Sequence, residues 1–177
     1  VSELEATSLV VLVPDAELLV QEFRERFDPS AEVGMPAHIT VLYPFVPAWG
    51  VDAGLLVELR DLFHCISSFT FSLTGLGRFP GVLYLEPDPS APFEHLTHLV
   101  ANKYPEHPPY GGAHSLIVPH LTVAHWENPA QLVAIEEEFM QEHGHKLPVT
   151  GHVSDVALVA QIEGIWEVGA RFRLGGT

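Results

Sequence analysis

The sequence contains one cysteine, Cys65, and only eight basic side chains among its 177 residues. A lone cysteine can form no intrachain disulfide, which fits a reducing, cytoplasmic setting, and the thiol is expected to be buried as a small apolar group. Lys103, Lys146 and six dispersed arginines face 23 acidic residues, for a net charge of −15. Proteins that grip extended nucleic acid need a stripe of Lys and Arg to displace counterions. Long DNA or RNA is therefore excluded as a partner, whereas a small phosphate-bearing substrate held locally is not. No apolar run approaches the roughly 18 residues that cross a bilayer, and no basic leader opens Val1-Ser-Glu-Leu-Glu5. The expectation is a monomer with no membrane partner.

Apolar residues make up 47% of the chain, ample for a packed interior. Short apolar or alternating runs predict strands at Leu9–Val13, His38–Tyr43, Phe69–Leu73, Val82–Leu85 and Pro119–Ala124, and two long ones at Val149–Ala160 and Ile165–Leu174. Helices are expected after Asp15, Asp52, Ser90 and Asn128, each residue a cap or first-turn signal, with Pro129 at a first helical position. Gly75, Gly77 and Pro80-Gly81 read as turns. No low-complexity linker separates these pieces, so they predict one compact α+β body.

A weak internal repeat runs through the chain. Pro36-Ala-His-Ile-Thr-Val-Leu42 matches Pro119-His-Leu-Thr-Val-Ala124, with one extra residue after the first proline and the histidines 82 residues apart. The bare pattern His-x-Ser/Thr is unspecific and also occurs at His95 and His152. His95-Leu-Thr97 falls in a predicted helix, where positions i and i+2 do not share a face; His95, His98 and Glu94 read there as a solvated helix face rather than a metal site. His152-Val-Ser154 lacks the preceding proline and the apolar residues that follow. On a strand, however, alternate side chains share a face, so His38 projects with Thr40 and His120 with Thr122. Two imidazole–hydroxyl pairs meeting across a cleft would supply an acid, a base and two donors for phosphate oxygens, the set that in-line displacement at phosphorus needs. The scheme requires no metal and no cofactor, and no His-Glu-x-x-His or comparable ligand spacing is present.

These residues resemble the 2H phosphoesterases, which include the bacterial 2'-5' RNA ligase-like proteins. The likeness rests on His38-Ile-Thr40 with Val-Leu-Tyr-Pro-Phe45, on Pro119-His-Leu-Thr122, and on the segments Gly77–Pro87 and Tyr104–Gly112. The resemblance implies a bilobal, pseudo-twofold α+β fold: two antiparallel sheets flank a central cleft, with helices outside. In a single domain spanning 1–177, the lobes are expected to divide near residue 80, at roughly 1–80 and 81–177. It further implies cleavage of a 2',3'-cyclic phosphate or reversible joining of 2'-5' linkages, with His38 and His120 catalytic and Thr40 and Thr122 binding phosphate. The scarcity of basic residues shifts the expected substrate towards a small cyclic nucleotide, with an RNA terminus the other option, and favours hydrolysis over ligation. A nucleotide-binding module with little or no catalysis is the alternative. Arg78, Tyr84, Phe45 and Tyr110 are candidate substrate contacts, although a surface role for Arg78, core packing for Phe45 and loop anchoring for Tyr110 compete with that reading. Trp126 is a further candidate wall, and Trp166 is expected in the core.

Overall fold

The computed structural model describes residues 6–113 and 116–175; the opening Val1–Glu5 stretch lies outside the described residues. Eight antiparallel strands form one curled sheet in the order β6-β3-β4-β5-β2-β1-β7-β8, with helices on its outer side. The strands are β1 (Thr7–Leu12), β2 (His38–Leu42), β3 (Phe69–Phe79), β4 (Val82–Asp88), β5 (Leu121–His125), β6 (Val149–Val153), β7 (Asp155–Ile162) and β8 (Ile165–Arg173). The longer helices are α1 (Pro14–Phe27), α3 (Ala53–His64), α4 (Ala91–Lys103) and α5 (Pro129–His143), with a single turn, α2 (Pro29–Glu32), after α1. The two expected sheets are thus the two halves of one sheet, and they join where β2 meets β5. That seam is held in register at one residue pair, Ile39 opposite Leu121.

The repeat becomes visible in this arrangement. β1 pairs with β2, and β4 with β5. The helix between each pair crosses to the other half: α1 packs on β5 and β6, and α4 packs on β2. Each half is therefore covered by a helix from the other unit, which ties the halves together despite their narrow seam. The boundary expected near residue 80 falls within the β3–β4 hairpin, whose strands both belong to the second half, while β7 and β8 return to β1 in the first. Strand pairing, not chain order, sets the halves.

Local signals explain most element ends. Asp52 accepts from the Leu55 amide and Asn128 from those of Ala130 and Gln131, as their cap positions require. At α1 the expectation fails: Val13 occupies the cap, Pro14 starts the helix, and Asp15 lies in the first turn. Gly75 and Gly77 are not turns but lie inside β3. A bulge between Leu73 and Gly75 absorbs one residue, and Gly77 is bare because a Cβ there would meet the Tyr84 ring at 2.5 Å. The single long strand expected over Val149–Ala160 is broken at Ser154 into β6, at one edge of the sheet, and β7, in the other half between β1 and β8. Cys65 is exposed at the end of α3, contrary to its expected burial.

The main core lies between sheet and helices. Ile39, Val41, Leu83, Leu85, Leu121 and Val123 all point into it, against Phe23, Phe93, Leu96 and Phe139. Residues that alternate with these must face the other, concave side of the sheet. A small second cluster there joins Val10, Met35, Ala157 and Val159, with Trp166 packed against it. Trp166 therefore lines the concave side, edge-on to Tyr43, rather than the main core.

Candidate active site

Ile39 and Leu121 face each other across the seam with their side chains in the core. Antiparallel pairing then sets His38 opposite Thr122 and Thr40 opposite His120, all four on the concave face. Directly opposed residues have Cβ atoms about 4.5–5.5 Å apart, so the two motifs form one cluster. The two histidines are close enough that charge on His120 disfavours charge on His38.

Both rings are oriented alike. His38 Nδ1 lies 2.8 Å from the Pro36 carbonyl oxygen, and His120 Nδ1 lies 2.7 Å from that of Val118. A carbonyl can only accept, so Nδ1 carries the hydrogen in both rings and Nε2 is left to exchange protons. Both histidines are half-buried, and burial lowers both pKa values below the ordinary histidine range. The effect is larger for His38, which falls to about 4: burial leads, Arg24 and His120 add to it, and the Pro36 hydrogen bond and Asp28 oppose it. These shifts leave both rings uncharged at neutral pH.

The flanking residues divide sharply. Tyr84 sits opposite Thr122 on the concave face, and its ring stacks on Phe79 at 4.4 Å. Both rings contact His120, Phe79 at 5.1 Å and Tyr84 at 5.3 Å, forming an aromatic wall behind it. Tyr110 reaches Thr40: its phenol is hydrogen-bonded to that hydroxyl, while its backbone N–H donates to the Tyr43 carbonyl at 2.6 Å. Burial raises its pKa, so the phenol stays protonated and able to donate.

Arg78 and Phe45 are not brought to the site. Arg78 is paired with Leu83, a core-facing residue, and its guanidinium meets Glu136 of α5 at 3.0 Å, so it lies on the helical side of the sheet. Phe45 is 4% exposed and packs edge-on against Tyr104 and His107. Trp126 likewise turns to the helical side, edge-on to Phe27 of α1. Sequence reasoning missed Phe79. The sequence held only part of the signal: alternation puts Phe79 on the opposite face from Arg78 once the strand runs on through Gly77, and its place beside Tyr84 came only with the pairing of Gly77 to that residue.

Residues 12–164 match the model of the 2'-5' RNA ligase superfamily. The chain belongs to that superfamily, within the 2H phosphoesterases. A Bacillus licheniformis protein named "Putative phosphoesterase" is 28% identical over 124 residues, covering 65% of this chain and 68% of its own length. Among solved structures, Escherichia coli LigT complexed with 3'-AMP superposes with a TM-score of 0.63 at 16% identity, covering 97% of this chain and 99% of LigT. A Thermus thermophilus protein gives 0.61 at 19% identity, covering 97% of this chain and 98% of its own. At such identities these likenesses establish the fold. The family is one of phosphoesterase and ligase-like enzymes. Among the described residues no helix is long and apolar enough to cross a membrane.

Proposed function

We propose that this protein is a metal-independent phosphoesterase that hydrolyses a 2',3'-cyclic phosphate, with His38 and His120 exchanging protons and Thr40 and Thr122 holding the phosphate. The observation that carries this reading is the register across the β2–β5 seam, which gathers both His-x-Thr pairs on one open face. In the reaction a water oxygen bonds to phosphorus while the bond to one ribose oxygen breaks. One histidine accepts the water proton at Nε2; the other donates a proton from Nε2 to the departing oxygen. A 5'-hydroxyl in place of water, with the bond to the 3'-oxygen breaking, gives 2'-5' joining with the same roles, and the roles exchange when that linkage is cleaved back to the cyclic phosphate. The threonine hydroxyls donate to non-bridging oxygens as their charge grows, each good donor contributing about 3 kcal/mol. A charged histidine is required before the reaction, and the negative charge of a bound phosphate supplies the pull that raises the lowered pKa of the acid ring.

A cyclic mononucleotide fits better than a long RNA, since no basic stripe leads to the site and the chain carries −15 overall. The solved relatives complexed with 3'-AMP, NADP+, ATP and phosphate support a site for small phosphate compounds. The test is turnover of 2',3'-cyclic AMP in the presence of EDTA. Full activity is expected, with His38→Ala and His120→Ala each losing most of it while keeping the wild-type melting temperature within a few degrees. A strict metal requirement would overturn the mechanism. Saturable binding of a mononucleotide without product would favour the binding module instead.

A further inference from the structure

The two histidines donate to equivalent carbonyls, but the peptide units that own those carbonyls differ. The Pro36 carbonyl shares its peptide with the Ala37 N–H, and that N–H donates to Glu17 Oε2 at 2.9 Å. In a trans peptide the two groups point in opposite directions, so Glu17 and the His38 ring sit on opposite sides of one planar unit. The Val118 carbonyl shares its peptide with Pro119, which has no N–H to donate. Only His38 is therefore connected to a carboxylate through its backbone partner.

The surroundings of this connection are tightly built. Arg24 of α1 is 2% exposed; its Nε donates to Asp28 at 3.0 Å, its Nη2 to the Met35 carbonyl at 2.9 Å, and its Nη1 lies 4.0 Å from Glu17. The Met35 N–H donates to the Ser30 carbonyl, and the Val13 N–H to that of Ala37. Every peptide flanking Pro36 is thus pinned. The charged and titratable groups that act on His38 are Arg24 and Asp28 from the α1 end and His120 just before β5, with the neutral Tyr110 beyond Thr40 and Glu17 on the far side of the Pro36–Ala37 peptide. Arg24 outweighs the opposing Asp28, and behind the Pro36–Ala37 peptide lies Glu17. Its side chain is 36% exposed, so its direct field is screened by water. The hydrogen bond through the peptide is the route that remains: a carboxylate on the N–H polarises the unit and makes its carbonyl a stronger acceptor.

We infer that Glu17 is a positioning residue for His38, acting through the Pro36–Ala37 peptide to hold Nδ1–H and to stabilise the ring when Nε2 takes a proton. His38 is then the general base of the hydrolytic direction, and His120, without this support, the acid. The inference of a base rests on the phosphoesterase reading above; the link from Glu17 to His38 does not. The test uses Glu17→Gln, whose Oε1 can still accept from Ala37, so the clamp persists and the charge is lost. Nitrogen-15 NMR of the histidine rings at neutral pH reads the Nδ1 protons without any turnover. The His38 Nδ1 proton is expected to move upfield and exchange faster in Glu17→Gln, with that of His120 unmoved. On 2',3'-cyclic AMP, kcat is expected to fall about three- to tenfold with KM within about twofold, and the acid limb of kcat/KM to move to lower pH, as loss of roughly half to one pK unit on a base implies. Glu17→Ala, which removes the clamp as well, loses more. An unchanged His38 proton in Glu17→Gln, or an equal shift at His120, would overturn the link. If the proton shifts as expected but the wild type turns over no cyclic phosphate, the link stands and the phosphoesterase reading falls.

Discussion

A histidine held neutral by burial stores a dependence on pH that differs for activity and stability. His38 titrates near 4 in the folded chain and near 6.5 when unfolded. Below 6.5 the unfolded chain takes up a proton that the folded site refuses, so this residue's contribution to stability is full above about pH 6.5 and is lost as the pH falls towards 4. His38→Asn removes this titration and is expected to flatten the stability curve between pH 4 and 6.5, measured by urea midpoints across that range. As a base, the same neutral ring remains competent over that interval, so the acid limb of kcat/KM is expected close to pH 4 in the free enzyme. The His120 pKa, also lowered by burial, places the alkaline limb below the ordinary histidine value until phosphate binds. The limbs are properties of the coupled pair, and a pH–rate profile over about 3.5–9 checks both.

At the scale of elements, two contacts hold the site in shape. Strand β3 passes under Tyr84 without a side chain at Gly77, which lets the ring lie flat on Phe79 and back His120. Gly77→Val would push the ring aside. Turnover is expected to fall about tenfold or more, with a stability cost of about 1–3 kcal/mol for the overpacked position; steady-state kinetics beside thermal melting reads both. The α1–β2 connection depends on Arg24. Arg24→Ala would leave Asp28, 5% exposed, without its cation and the Met35 carbonyl without a donor. The expected loss is about 3–5 kcal/mol, the range for breaking a buried pair, measured by urea denaturation.

Seen as a whole molecule, the sheet is two four-stranded halves joined at a narrow seam, each covered by a helix from the other repeat. This geometry converts a sequence repeat into a symmetric site, because the seam strands are the ones that carry the motifs. The overall charge acts on the same scale. With no stripe of basic residues, each added phosphate on a ligand gains little. A single-stranded RNA of about 20 nucleotides is expected to compete for the site no better than a mononucleotide, and its binding to weaken with salt with a slope of about one or less, against the roughly 6–10 phosphate contacts of true nucleic-acid binders. Competition assays at about 50 and 200 mM salt measure this.

The amino-acid order alone determined the alternation within each His-x-Thr strand, and hence that histidine and threonine share a face; it also determined the caps at Asp52 and Asn128, since these features depend on neighbours within a few residues. Contacts between distant segments lay beyond it. Which side of β3 Arg78 takes was settled by an acidic partner on α5, and the break at Ser154 by the pairing of β6 and β7 with strands in opposite halves of the sheet. Glu17 gives no local signal, as its partner is a backbone amide 20 residues away. Side-chain direction along a strand is local geometry, whereas the choice of partner is a competition among all surfaces of the folded chain, and only the packed molecule resolves it.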